Sequence, residues 1–323
     1  MTDAPGSGTG TAAASVLLHD LLAGPVRPAT VLAAAPAATY LEAGGQVLAI
    51  VAAGGVRLPC AAMLAAGGRL PAARSRLAVG RGAVHEDGRR LVAIRRWFDP
   101  RVRLTGVDRA AVARLAHVVR SRGGVDALLP DDAPDRLAAG LSSGAAGAAG
   151  AVSVLLGRGT GLTPAGDDLV AGALATLRAL GSPAADALGA AARALAPAAT
   201  TRLSAALLEA ADVGGLVPEA AGVLRALAGG GDVETAAERL VDLGHTSGWH
   251  LAAGLLLGVT HAGAGPPDRA PAVAGDGFRR LGRPVRRLGT PVRGVGAPAR
   301  GLRPSERGLR APARNGGHAG VAS

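Results

Sequence analysis

The chain has 323 residues, of which 49% are hydrophobic, 2% are aromatic and 50 are glycine, and it carries a formal net charge of +11. All 35 basic residues are arginine, which excludes a P-loop lysine, Schiff-base chemistry and a lysine general base. The single cysteine, Cys60, excludes an intrachain disulfide, and no apolar run is long enough to span a bilayer. With no basic residue ahead of an apolar run near the N-terminus, a cytoplasmic protein is expected, its interior built from close-packed Ala-, Leu- and Val-rich helices.

The charge is not spread evenly. Residues 262–323 hold twelve Arg against Asp268, Asp276 and Glu306, a net +9 that leaves +2 for residues 1–261. This Gly/Pro/Arg-rich stretch has no periodic apolar positions and is expected to be a disordered tail. Nucleic-acid binding through the tail is therefore the weaker of the charge readings, with little sequence preference expected from so few aromatic residues, and no membrane partner is expected.

Along the chain, residues 1–14 are expected to be a flexible N-terminus and 15–107 a β-rich domain. Val16–Leu22 is a short apolar segment. Thr30–Ala34, Ala38–Glu42 and Gln46–Ala52 read as strands between Pro36 and the glycine pairs Gly44-Gly45 and Gly54-Gly55. Val56–Cys60 resumes an extended path; Arg76–Val79, Ala83–His85 and Leu91–Trp97 follow, the last two joined by the hairpin turn Glu86-Asp87-Gly88. His85 reads as an exposed strand end and Trp97 as a core or interface anchor.

From Asp108, a helix cap, the character turns helical, and residues 108–261 are expected to be a helical domain with glycine-rich ligand loops. Pro134 opens a helix running towards Leu156, and further helices span 183–196, 199–212, 217–228 and 232–242, with Pro183, Pro197, Gly214-Gly215 and Gly229–Gly231 as breaks. The fold class is thus α+β, a β-rich N-terminal domain followed by a mainly helical C-terminal domain.

Two glycine-marked helix starts organise the second half. The first runs from Gly157 to Gly172. Its Gly157, Gly159 and Gly161 permit positive φ, Thr163 and Pro164 read as N-cap and first helical residue, and Asp167 and Asp168 fall in the first turn. The second, Gly244 to Gly254, aligns with it when Gly166 is set on Gly248, pairing Asp168 with His250 and Gly172 with Gly254. Two missing side chains one and a half turns into each helix predict a close crossing with converging N-termini. Free N–H groups there would make an anion pocket.

That pocket gathers hydroxyls from Thr163, Thr246 and Ser247, carboxylates from Asp167 and Asp168, and imidazoles from His245 and His250. A Ser-His-Asp hydrolase lacks its nucleophile elbow, and the i, i+5 histidine spacing disfavours zinc. In the plainer reading, both Asp residues complement the helix dipole and Thr200 or Thr201 simply caps its helix.

The segments Gly159–Asp168 and Gly244–Trp249 resemble the signature pair of the AllH-type proteins, whose namesake is linked to oxamate carbamoyltransferase of anaerobic allantoin breakdown. Leu58-Pro59-Cys60, Trp97 with Pro100, and Thr200–Ser204 fit the same picture, so the resemblance covers roughly residues 15–261. It implies carbamoyl transfer between oxamate and phosphate, performed with other carbamoyltransferase subunits, on small anionic substrates (phosphate or carbamoyl phosphate, oxamate). Catalytic candidates are Asp167, Asp168 and His245. Substrate-binding candidates are Arg158, Gly159, Gly161, Thr163, Gly166, Thr201, Arg202, Ser204, Thr246, Ser247, Gly248, Trp249 and His250, with Arg158 or Arg202 as carboxylate partner. Mg2+ is the candidate cofactor, held, if any ion is, by Asp167 and Asp168. The alternative is a non-catalytic subunit that binds a small anion or scaffolds a larger complex.

Overall fold

The computed structural model describes residues 9–122, 129–244 and 246–263. The expectation of a disordered tail over 262–323 lies outside them except for the end of the last helix. Among the described residues the fold is α+β, eight strands followed by a helical body.

The strands are β1 (Gly10–Ser15), β2 (Arg27–Ala35), β3 (Ala38–Ala43), β4 (Gln46–Val51), β5 (Ala61–Leu64), β6 (Leu77–Gly80), β7 (Ala83–Glu86) and β8 (Arg89–Phe98). They close into a barrel in the order β1-β5-β4-β3-β2-β6-β7-β8. Closure depends on β1, which pairs parallel to β8 (Ala12 opposite Ile94) and antiparallel to β5 (Ala13 opposite Met63). Residues 10–15 are therefore a barrel strand rather than part of a loose N-terminus. An Ala/Thr segment carries little hydrophobic patterning, and only its two neighbours reveal it. The Asp87-Gly88 turn does form, with φ of 50° and 79°, as a two-residue hairpin that twists with its strands requires.

The Val16–Leu22 segment becomes a 3-10 turn (Val16–Leu18) and a short helix α1 (His19–Ala23) that plugs the barrel, putting Leu18, Leu21 and Leu22 among Leu41, Leu48, Ile50 and Val79. β4 is apolar at every position after Gln46 because it is buried on both faces. Leu48 and Ile50 point into the barrel, while Val47, Ala49 and Val51 lie under its outer cover. On that outer side Val47 and Cys60 pack against Leu203 of the helical body, and burial pushes the Cys60 thiol up to about 12, leaving it an inert packing residue. Trp97 is not a core anchor: it is 38% exposed, its ring 5.0 Å from that of His19.

Residues 99–108 lace the barrel to the helices through Val102 N–H to the Gly214 carbonyl, Leu104 N–H to Ala179 and Asp108 N–H to Leu227. The helices are α2 (Arg109–Arg122), α3 (Ala133–Ser142), α4 (Gly144–Leu155), α5 (Ala165–Ala179), α6 (Ala184–Ala199), α7 (Arg202–Asp212), α8 (Pro218–Leu227), α9 (Val233–Val241) and α10 (Ser247–Gly263). Gly144, at φ 74°, divides the single expected helix towards Leu156 into α3 and α4. Pro197 lies inside α6 near its end instead of breaking it. None of the described helices is long and apolar enough to cross a membrane.

α5 is the centre of the body, buried on every face from Ala165 to Leu177 rather than along one stripe. α10 lies against it, and the predicted crossing is present. A β-carbon at Gly172 would overlap the Leu251 carbonyl oxygen, and one at Gly254 would overlap that of Leu169, so backbone touches backbone. One turn on, a β-carbon at Gly258 would overlap the Thr176 side chain and the Ala173 carbonyl. Replacing Gly172 or Gly254 by Ala is expected to destabilise by at least about 1–3 kcal/mol, the usual cost of forcing extra atoms into a packed core. Gly222→Ala, at an open position in α8, is expected to stabilise by about 0.5–1 kcal/mol. Urea unfolding of the three variants measures both effects.

Candidate functional site

The loop before α5 takes the conformation its glycines allow, with φ of 72°, 119° and 86° at Gly157, Gly159 and Gly161. Thr163 does not cap the helix: Pro164 occupies the cap position, and the Thr163 hydroxyl lies 3.0 Å from that of Ser247, joining the two helix starts directly. Several of the N–H groups expected to cradle an anion are already engaged. Gly166 N–H donates to the Arg158 carbonyl, Asp167 and Asp168 N–H donate to Pro164, Gly248 N–H to Leu243 and His250 N–H to Thr246.

The two adjacent aspartates have different surroundings. Asp167 is fully buried, and its carboxylate accepts from Gly157 N–H at 2.8 Å, from the Ser204 hydroxyl at 2.6 Å and from the Thr200 hydroxyl. It staples the glycine loop to the entrance of α7. Burial raises its pKa, opposed by those three donors. Asp168, one residue on, turns to another neighbourhood. It is nine-tenths buried and its Oδ2 has no hydrogen-bond partner. Burial, with the neighbouring Asp167 charge, holds its carboxyl well above the usual range, against a hydrogen bond from Ser247.

Asp168 lines a cavity of about 350 Å³ between the barrel and the helical body. Thr163 and Ser247 share its polar side, and the remaining wall is largely apolar, with Ala35, Val51 and Leu58 from the barrel side and Leu207, Leu216 and Leu251 from the helices. No arginine or histidine is among the described residues lining it. Whenever Asp168 is ionised, an anion about 4 Å away would cost roughly 4 kcal/mol at an effective dielectric of about 20.

The other candidates have other tasks or places. Thr201 caps α7, accepting from Ser204 N–H at 3.0 Å and donating to the Leu162 carbonyl at 2.6 Å. Arg202 pairs with Glu42, fastening α7 to β3 outside the cavity. Arg158 is exposed, its Nε donating to Val154. Gly166 and Gly248 are packing positions whose β-carbons would meet the Leu155 and Leu240 carbonyls. Trp249 is buried and donates through Nε1 to the Val119 carbonyl at 2.9 Å, anchoring α10 to α2. His250 is buried, its ring edge-on to Trp249 and its Nδ1 2.9 Å from the Thr246 carbonyl. His245 lies outside the described residues.

A shared divalent ion does not suit the aspartates, because Asp167 is occupied by three internal donors and Asp168 faces elsewhere. Among the described residues no three His, Cys, Asp or Glu side chains gather as a ligand set. The barrel wall of the cavity, including Tyr40 and Leu58, escaped the motif analysis as a site. The only signal was the family resemblance at Leu58-Pro59-Cys60.

Fold and site together define an α+β chain with a largely apolar cavity between a closed barrel and a helical body, and a buried acid in its wall. Residues 155–259 match the family model described as oxamate carbamoyltransferase subunit AllH. The matched segment is about a third of the chain, from the end of α4 through most of α10, and leaves the barrel outside. No curated protein and no solved structure matches the chain.

The contrast between the aspartates is testable by stability. Asp167→Ala leaves one buried and two half-buried donors without their acceptor and is expected to cost roughly 2–3 kcal/mol in urea unfolding at pH 7. Asp168 has the opposite sign. Because its native pKa lies above the unfolded value near 3.9, folding loses stability as pH rises from about 4 through the native pKa. Asp168→Asn is therefore expected to melt above the parent at pH 7, by about 1.4 kcal/mol for each unit of raised pKa, and to converge with it near pH 4.

Proposed function

We propose that this chain is a subunit of an oxamate carbamoyltransferase, and that its cleft receives the carbamoyl group in transfer. The observation that carries the reading is the family match, which covers α5, α7 and α10, the elements that form the helical side of the cavity. In the reaction this implies, phosphate attacks the carbamoyl carbon of oxalurate, the bond from that carbon to the oxamate nitrogen breaks, and the nitrogen takes a proton. The products are carbamoyl phosphate and oxamate.

The residues fit parts of this chemistry. Asp168, whose burial favours the protonated form, is the candidate acid for the leaving nitrogen. The hydroxyl of Thr163 is the candidate donor to the carbamoyl oxygen, that of Ser247 being engaged with Asp168. The carboxylate and phosphate ends need cationic partners that the described cavity lining does not contain, which favours completion of the site by other subunits. Asp167 is given a positioning role, holding the glycine loop on α7.

The engagement of the helix-start N–H groups and the apolar lining support a second reading, a subunit that binds a small molecule or scaffolds the complex without turning over substrate. Co-expression with the partner subunits and assay of phosphate-dependent oxamate release from oxalurate separates the two. Asp168→Asn is expected to lower kcat by about 10²–10⁴-fold with assembly intact by size-exclusion chromatography. Unchanged turnover would favour the scaffold reading.

A further inference from the structure

The cavity is larger and less polar than a three-carbon anion requires. Its volume of about 350 Å³ falls in the range of sites that enclose small organic ligands, and its barrel and helix walls are mainly Ala, Val and Leu. Its floor holds a single ionisable carboxyl, nine-tenths buried, whose Oδ2 meets no donor. A buried acceptor without a partner is costly, and a ligand that supplies the donor removes that cost. An aliphatic wall with one acceptor at its base selects a ligand that is apolar along its body and donates at one end.

We propose that this cavity binds an uncharged ligand bearing a primary carboxamide or ureido group on an apolar body, with Asp168 Oδ2 as its partner. A protonated carboxyl and a primary amide are mutually complementary. The amide N–H donates to one carboxyl oxygen, and the carboxyl O–H donates to the amide carbonyl. A carboxylate of the same shape has no N–H to offer and meets like charge whenever Asp168 ionises. The Thr163 and Ser247 hydroxyls stand on the same polar side to complete the amide's hydrogen bonds. The inference goes beyond the proposed function, naming an uncharged ligand rather than the oxalurate anion. It rests on that reading's choice of cleft but not on the reaction.

Titration calorimetry on the full-length chain with benzamide, phenylurea, benzoate and N,N-dimethylbenzamide tests it. Benzamide and phenylurea are expected to bind at least tenfold more tightly than benzoate or the dimethyl amide. Asp168→Asn, which keeps a donor and an acceptor, is expected to retain benzamide within a few-fold, while Asp168→Leu loses the preference. Ala35→Trp, at an exposed barrel residue lining the cavity, is expected to abolish binding without touching the helical core. Equal binding of benzoate, absence of benzamide binding, or binding unaffected by both Asp168→Leu and Ala35→Trp would overturn the proposal. Oxalurate turnover in the assembled enzyme without amide binding by this chain would sink the inference and leave the function. Amide selectivity without turnover would do the reverse.

Discussion

The contact on which the rest of the structure depends is the crossing of α5 and α10 at Gly172 and Gly254. With no side chain on either helix there, the backbones touch, and the two helix starts are drawn together closely enough for the hydroxyls of Thr163 and Ser247 to bond. The helices on either side are thereby committed. Trp249 on α10 reaches α2, Asp167 on α5 reaches α7, and Gly248 admits the end of α9. Any larger residue at the crossing would separate the starts and open the site from below.

Adjacent aspartates in one helical turn are separated in role by direction. Successive residues on a helix point about 100° apart, so Asp167 faces the glycine loop and α7 while Asp168 faces the cavity. The first is a saturated acceptor and behaves as a structural staple. The second is an acid whose hydrogen-bonding capacity is left partly unused inside an apolar space, a combination that commonly marks function.

The barrel contributes a wall of the cavity. Its β4 is hydrophobic on both faces because the outer one is covered by the helical body, and the Arg202–Glu42 pair and the residue 99–108 lacing hold the two parts in register. The cavity exists only because a curved strand surface of small residues meets α5, α7 and α10 without filling the space between them.

Much of this was legible locally. The Asp87-Gly88 hairpin, the three positive-φ glycines before α5, the caps at Asp108 and Thr201, and the Gly172–Gly254 crossing all follow from short-range conformational preference or from a missing side chain at helical spacing. The first strand was not legible, since Ala and Thr at Gly10–Ser15 acquire a strand's identity only by closing the barrel against β5 and β8. Nor could local pattern say that α5 is buried all round, that several helix-start N–H groups are engaged by nearby carbonyls, or that Arg158 and Arg202 are absent from the lining of the cavity expected to need them. The sequence by itself determined which residue types stand at two glycine-marked helix starts. Only the tertiary structure decided which of two neighbouring aspartates is silenced by internal donors and which faces an apolar cavity, because that depends on partners 10 to 80 residues away in the chain.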